Sequence, residues 1–217
     1  MSVSAAPPSD GWRAEHWDAA YRTRGVTGVS WYQPTAATSI DLIERLGVSK
    51  SAAIIDIGGG ASVLADALLA RGFCDVSVLD VSKVALEEVR RRLGANTSLS
   101  LLQADILAWK PGRRYDLWHD RAVFHFLVEK GDRERYIQSL WSALHDHGLV
   151  IVATFAPDGP EYCSGLPVTR HAAADLDEIL GPEFAVVEAF RDIHVTPSGI
   201  SQPFTWMAAR RGTTGDA

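Results

Sequence analysis

The sequence predicts a single α/β domain whose mainly parallel sheet is covered by helices on both faces. Three observations predict it. Short apolar runs alternate with segments of helical periodicity through most of the chain. The first run, "AAIIDIG", is continuously apolar, as suits a strand buried on both sides. The last two strand-like stretches, "FAVVEAF" and "QPFTWMAAR", have no helix between them, so they are expected to pair antiparallel across "RDIHVTPSGIS".

Each element has its own signal. Glu15 to Arg22 reads as a helix with Trp17, Ala20 and Tyr21 on one face. After the loop "RTRGVTGVSWYQPT", a second helix is expected near Thr38. Asp41 is its capping-box partner, Ile40, Ile43 and Leu46 point inward, and Gly47 is the stop. Strands follow at Ala52–Gly58, Asp75–Asp80, "SLSLLQAD", Tyr115–Asp120 and "LVIVATFA". Between them come a helix over Ala61–Arg71 and another at "VSKVALEEVRRRLG". A later one carries Ile137, Leu140, Trp141 and Leu144 and ends near Gly148, and a last one lies near Ala172–Leu180. With the final pair, the expected sheet has seven strands.

Composition narrows the function. A chain of 217 residues with 47% hydrophobic and 22% charged residues fits one soluble domain. Its net charge of −6 argues against a large nucleic-acid footprint. Two cysteines, Cys74 and Cys163, show no metal-type spacing, so no metal is expected, and a reducing compartment is the simpler assumption. No apolar run approaches the roughly 20 residues of a membrane span, and the start has no signal-peptide pattern. A cytoplasmic protein without membrane or nucleic-acid partners is expected.

The turn Gly58-Gly59-Gly60 is the centre of the functional reading. In open α/β sheets, ligands sit at the carboxyl ends of strands. Asp56, Asp80 and Asp105 fall at the ends of the first three strands, spaced by 24 and 25 residues. A single such acid reads as a helix cap. Three beside a glycine turn favour an adenosine-containing ligand, with an acid for the ribose hydroxyls and another for the adenine amino group. A phosphate loop is excluded because Gly60 precedes Ala61-Ser62 and not Lys-Ser/Thr. A dinucleotide fingerprint would need glycine where Val63 stands. S-adenosylmethionine, with its cationic sulfonium and no pyrophosphate, fits better.

At this point "DIGGGAS" resembles the first motif of the class I S-adenosylmethionine-dependent methyltransferases, Asp-x-Gly-x-Gly-x-Gly, with Ser62 in the last glycine place. "DHGLVIVATF" resembles their late helix–glycine–strand passage. "HWDAAYRTRGVTGVSWYQ" resembles the front of small members related to the thiopurine and tellurite-resistance groups. The resemblance implies one Rossmann-like domain over 1–217, with 11–50 closing over the cofactor, while the small, polar composition of 1–10 and 212–217 predicts that both ends fray. It places Gly58 and Gly60 at the methionine part, Asp80 at the ribose, and Ala104, Asp105 and Ile106 about the adenine. Trp31, Asp56, Gly59, Val81 and Asp120 complete the expected cofactor contacts.

Methyl transfer is an in-line displacement that asks mainly for positioning and water exclusion. No catalytic residue is obligatory. Candidates are His119 and His125 after the fourth strand, Cys163 in "GPEYCSGLPV", and His194 in the terminal hairpin. His125, between two phenylalanines, also suits plain packing, Cys163 a buried thiol, and Asp120 or Arg121 a structural ion pair. Trp31 and Tyr32 suit a cation–π contact with the sulfonium, whereas Trp17 suits the core. The expected reaction is methylation of a small molecule, a thiol or another soft heteroatom. Protein lysine methylation is the alternative, and a NAD-linked oxidoreductase or a non-catalytic cofactor-binding module is the reading from another class.

Overall fold

The computed structural model describes residues 11–213. The fraying expected of Met1–Asp10 and of the last four residues lies outside that range. Gly212, expected to fray, is instead tied down: its N–H donates to the Glu183 carbonyl at 2.7 Å.

The chain opens with α1 (Trp12–Arg24) and α2 (Ala37–Arg45). Strands and helices then alternate: β1 (Ile54–Ile57), α3 (Leu64–Ala70), β2 (Val76–Asp80), α4 (Lys83–Leu93), β3 (Leu99–Gln103) and β4 (Tyr115–Arg121). After a 3-10 turn at Phe124–Phe126 come α5 (Lys130–Ala143) and β5 (Leu144–Phe155). A two-residue hairpin, β6 (Tyr162–Cys163) and β7 (Leu166–Pro167), precedes α6 (Ala173–Leu180), β8 (Phe184–Val195) and β9 (Ser201–Arg211). The main sheet has seven strands in the order β3-β2-β1-β4-β5-β9-β8. The first five are mutually parallel, and β9 runs antiparallel to both β5 and β8. This is the expected architecture.

Both faces of the sheet are buried. Along β1, Ile54 joins the core beneath α2 and α3, with Leu42, Leu64 and Leu68, while Ile55 and Ile57 join the opposite core with Trp118, Tyr136 and Leu140. That two-sided burial is why β1 reads as unbroken apolar sequence. Between β1 and β4 the strand order reverses, so the chain leaves the two strands in opposite directions and a crevice opens at their carboxyl ends.

The structure moves several expected boundaries. α3 starts three residues later than expected, because Gly58 and Gly60 hold left-handed φ of 59° and 51° and the chain needs Ala61–Val63 to turn into the helix. Thr38 does not cap α2; it lies inside the helix, and its hydroxyl donates to Asp192 on β8 at 2.9 Å. α5 stops at Ala143, and Leu144, expected on the helix, begins β5. Leu144 is fully buried in either reading, so periodicity could not separate the two. The loop carrying Cys163 contains the unexpected β6–β7 hairpin.

The turn after β4 is fixed by a buried polar chain. Trp118 Nε1 donates to the Tyr136 hydroxyl at 2.8 Å, which donates to Asp120 Oδ2 at 2.7 Å. Asp120 Oδ1 accepts the N–H groups of Val123 and Phe124. Tyr136→Phe leaves both the indole N–H and one carboxylate oxygen without a partner. It is expected to lower unfolding free energy by about 2–3 kcal/mol in urea titrations.

Candidate functional site

The crevice holds two adjoining cavities. The larger, about 830 Å³ and open to solvent, lies over the ends of β1, β2 and β4. One end is lined by Asp80, Val81 and the segment Ala104–Leu107. The other is lined by Arg121, Ala122, Phe126 and Cys163, with Val123 and Leu127 on the side packed with Ile106. Gly58 forms part of the floor, and Arg13, Trp17 and Tyr21 of α1, with Trp31, form the roof. The smaller cavity, about 590 Å³, shares Tyr21, Trp31, Gly58 and Arg121 with the first and reaches Asp56, Gly59 and His119.

The glycine turn is shaped first by the protein's own side chains. A Cβ on Gly58 would fall inside contact distance of Val123, one on Gly59 would meet the Asp56 carboxylate, and one on Gly60 would meet the Tyr21 hydroxyl. Gly58 and Gly60 also hold backbone angles that burden any other residue. The bare backbone thus lets Val123 and Tyr21 stand where they form the cavity wall.

Asp80 is 8% exposed and accepts the Ser82 N–H at 2.7 Å. Burial pushes its carboxyl up to about 7, against the pull of the Ser82 and Gly60 N–H groups. Ser82 caps α4 by accepting the Ala85 N–H, and its hydroxyl donates to Asp18 of α1 at 2.6 Å. Asp105 accepts the Leu107 N–H on one oxygen and Arg13 on the other. Arg13 also reaches Asp132 on α5, so α1 is tied across the end of the cavity.

The remaining candidates separate. His119 is fully engaged: in the parallel register it sits beside Asp56, its Nδ1 hydrogen-bonds that carboxylate at 2.7 Å, and its Nε2 hydrogen-bonds the Ser39 hydroxyl at 3.0 Å. His125 lies outside both cavity walls. Among the described residues neither of its ring nitrogens has a partner, and it stacks on Phe155 at 4.4 Å. Burial pushes it down to about 3, so it stays neutral. His194 donates to the Ser30 carbonyl at 2.7 Å, holding the loop that presents Trp31. Cys163 lines the larger cavity, and burial pushes its thiol up to about 11. Asp120 is committed to Tyr136 and the turn, and lines neither cavity. It does not pair with Arg121, which donates to the Trp31 carbonyl. Gly60 turns behind the wall, against Tyr21.

Sequence reasoning missed Arg13, Leu107, Val123 and Leu127, and it placed Trp17 in the core. Trp17 instead stands edge-on to Trp31 and Phe126 at 5.3 and 5.0 Å on the cavity side. A bulky residue on the buried face of an amphipathic helix carries no mark that tells core from cavity. α2, expected with α1 to close over the site, buries Leu42 and Ile43 in the core, so α1 and the loop to Trp31 form the roof. Among the described residues no three of His, Cys, Asp and Glu gather as a metal site, and no helix is long and apolar enough to cross a membrane.

The seven-stranded sheet thus carries a glycine turn at its switch point and an acid at the end of β2. Residues 54–148 match the family described as a methyltransferase domain. The match covers the segment from β1 into β5. The chain's fold is that of the class I S-adenosylmethionine-dependent methyltransferases. The Burkholderia thailandensis 1,6-didemethyltoxoflavin-N1-methyltransferase, determined with its acceptor and S-adenosylhomocysteine, is similar over 97% of this chain and 94% of that one, with a TM-score of 0.70 at 18% identity. A malonyl-[acyl-carrier protein] O-methyltransferase of Ilyobacter polytropus is 24% identical over 60% of this chain and 52% of its own length. An eEF1A lysine methyltransferase 2 of Danio rerio is 27% identical over 64% and 67%. The chain thus spans about half the length of the first curated relative. The matched segment supplies the β1 turn, β2 and β4, whereas Arg13, Trp17, Tyr21, Trp31 and Cys163 come from outside residues 54–148.

Two outcomes test this geometry. Gly58→Ala combines left-handed backbone with a clash against Val123 and is expected to cost about 2 kcal/mol or more of stability by chemical denaturation. Asp80 has a raised folded pKa, so the folded chain keeps a proton that the unfolded chain releases at about 4. Stability from this group is complete below pH 4 and is lost as pH rises through 7. Melting curves from pH 4 to 8 should therefore show Asp80→Asn gaining on the parent chain, by roughly 1–3 kcal/mol at the upper end.

Proposed function

We propose that this chain transfers the methyl group of S-adenosylmethionine to a small-molecule acceptor, with an ionisable soft heteroatom such as a thiol as the nucleophile. The observation that carries the reading is the continuous larger cavity. It runs from the Asp80 carboxylate and Ala104–Leu107, suited to an adenosine, past Gly58 to Phe126 and Cys163.

The residues fit the cofactor. Asp80 offers a buried acceptor for ribose hydroxyls, Val81 and Ile106 give apolar surfaces for adenine, and the aromatic roof gives π faces for a cation. Bound there, the cofactor supplies an electrophilic methyl carbon on sulfonium. The chain excludes water through α1, which Arg13 ties to Asp105 and Asp132. It also orients the acceptor against the wall formed by Val123, Phe126 and Cys163.

Among the described residues no carboxylate or imidazole lines the larger cavity beside Phe126 and Cys163: Asp80 lies with the ribose-side residues, Asp105 is held by Arg13, and the Tyr21 hydroxyl is raised above its usual range by burial and by Asp80. The nucleophile must therefore shed its proton to water before transfer, which suits a thiol better than an ammonium. Protein lysine methylation is the second reading. What favours it is the resemblance to the zebrafish lysine methyltransferase over two thirds of that protein.

Calorimetric titration with S-adenosylmethionine, S-adenosylhomocysteine and NAD tests the cofactor. The first two are expected to bind and NAD not to. Asp80→Ala should weaken the two by at least about tenfold, the size of a lost charged hydrogen bond. Binding of NAD alone would overturn the reading. For the acceptor, release of S-adenosylhomocysteine with small thiols but not with lysine peptides is expected, and the reverse would favour the second reading.

A further inference from the structure

Among the described residues, Arg121 in the cavity wall makes no salt bridge, although Asp192 and Asp56 lie near enough to favour its charge. Arg121 is the last residue of β4 and lines both cavities. Its Nη1 donates to the Trp31 carbonyl at 3.2 Å, and its guanidinium lies over the Phe204 ring at 5.0 Å. Its Nη2 is buried and has no partner among the described residues.

The groups facing it are spoken for. Asp56 accepts from His119, and Asp192 accepts from Thr38 and from the Ile193 N–H. Cys163, whose charged form would also favour the cation, is held as a neutral thiol, and burial lowers the guanidinium itself to about 10. His194, on the same side, is pushed below its usual value, so it adds no fixed charge. A guanidinium that is desolvated and held from two sides, with an N–H left over, is costly to the folded chain unless an anion arrives with the ligand.

We infer that Arg121 receives a carboxylate of the methyl acceptor, so that the substrate is a small organic acid whose nucleophilic atom lies beside its carboxylate. The inference rests on the reading of the cleft as a cofactor and small-molecule site, and it adds the charge of the acceptor. Position argues for the acceptor. Arg121 shares its wall with Phe126 and Cys163, at the end away from Asp80 and Ala104–Leu107, and it is braced by Phe204 of β9. The other source of a carboxylate in this cleft is the methionine part of the cofactor, and the two sources separate by experiment.

The test loads the protein with S-adenosylhomocysteine and titrates benzoate against the isosteric neutral benzamide by calorimetry. Benzoate is expected to bind at least about tenfold more tightly. Arg121→Gln should abolish that preference while S-adenosylhomocysteine affinity stays within threefold, and Arg121→Lys should restore part of it. With thiols, 2-mercaptobenzoate should be methylated in preference to thiophenol by the parent chain and not by Arg121→Gln. In that transfer the sulfur lone pair forms the new S–CH3 bond and the sulfonium takes the electrons of the bond it loses. The thiol proton has already gone to water.

Equal binding of benzoate and benzamide by the parent chain overturns the inference without any variant. A tenfold loss of S-adenosylhomocysteine affinity in Arg121→Gln, with 5′-methylthioadenosine unaffected, also overturns it, because the carboxylate is then the cofactor's. If the parent chain does not bind S-adenosylhomocysteine, the cofactor reading fails and takes the inference with it.

Discussion

The buried carboxylate of Asp56 is the contact on which the rest of the site depends. One oxygen takes the His119 ring, which in turn takes the Ser39 hydroxyl, so β1, β4 and α2 are locked at one point. The other oxygen fills the space above Gly59. A charge is expensive inside a sheet unless hydrogen-bonded, and here the bonding partner comes from the adjacent strand in exact parallel register. With β1 and β4 held side by side, the chain must leave them in opposite directions, and the crevice follows.

From that fixed point the walls are built by steric exclusion. Val123 stands over Gly58 and Tyr21 over Gly60, so the glycines position cavity-lining side chains as well as leaving backbone near a ligand. Tyr21 accepts from Trp31 Nε1 at 3.1 Å, and His194 holds the Ser30 carbonyl next to it. The N-terminal helix, the central strands and the terminal strand pair therefore meet in one aromatic roof. The Tyr21–Trp31 contact is local, ten residues apart, whereas the His194–Ser30 contact spans 164.

The electrostatics of the cleft divide along its length. At one end lie the carboxylates Asp80 and Asp105, the first raised by burial, the second held by Arg13. At the other lies Arg121, with an N–H unspent. Between them the lining is aromatic and aliphatic. That ordering of acid, apolar middle and cation suits a ligand pair whose hydroxyls point one way and whose negative charge points the other.

By itself the sequence determined the layer architecture, the seven strands and their antiparallel end, because burial on two faces writes apolar runs and helical periodicity directly into local residue order. It also determined that Asp80 and Ala104–Ile106 come together, since acids at successive parallel strand ends must share one edge. Tertiary structure alone decided which polar residues remain available to a ligand. Asp56 and His119 look like site residues in the chain but are consumed by each other and by Ser39, and Asp120 by Tyr136 and the turn after β4, whereas Arg121, read as half of an ion pair, is left without one among the described residues. Whether a charge is satisfied depends on partners tens of residues away, and no local pattern records it.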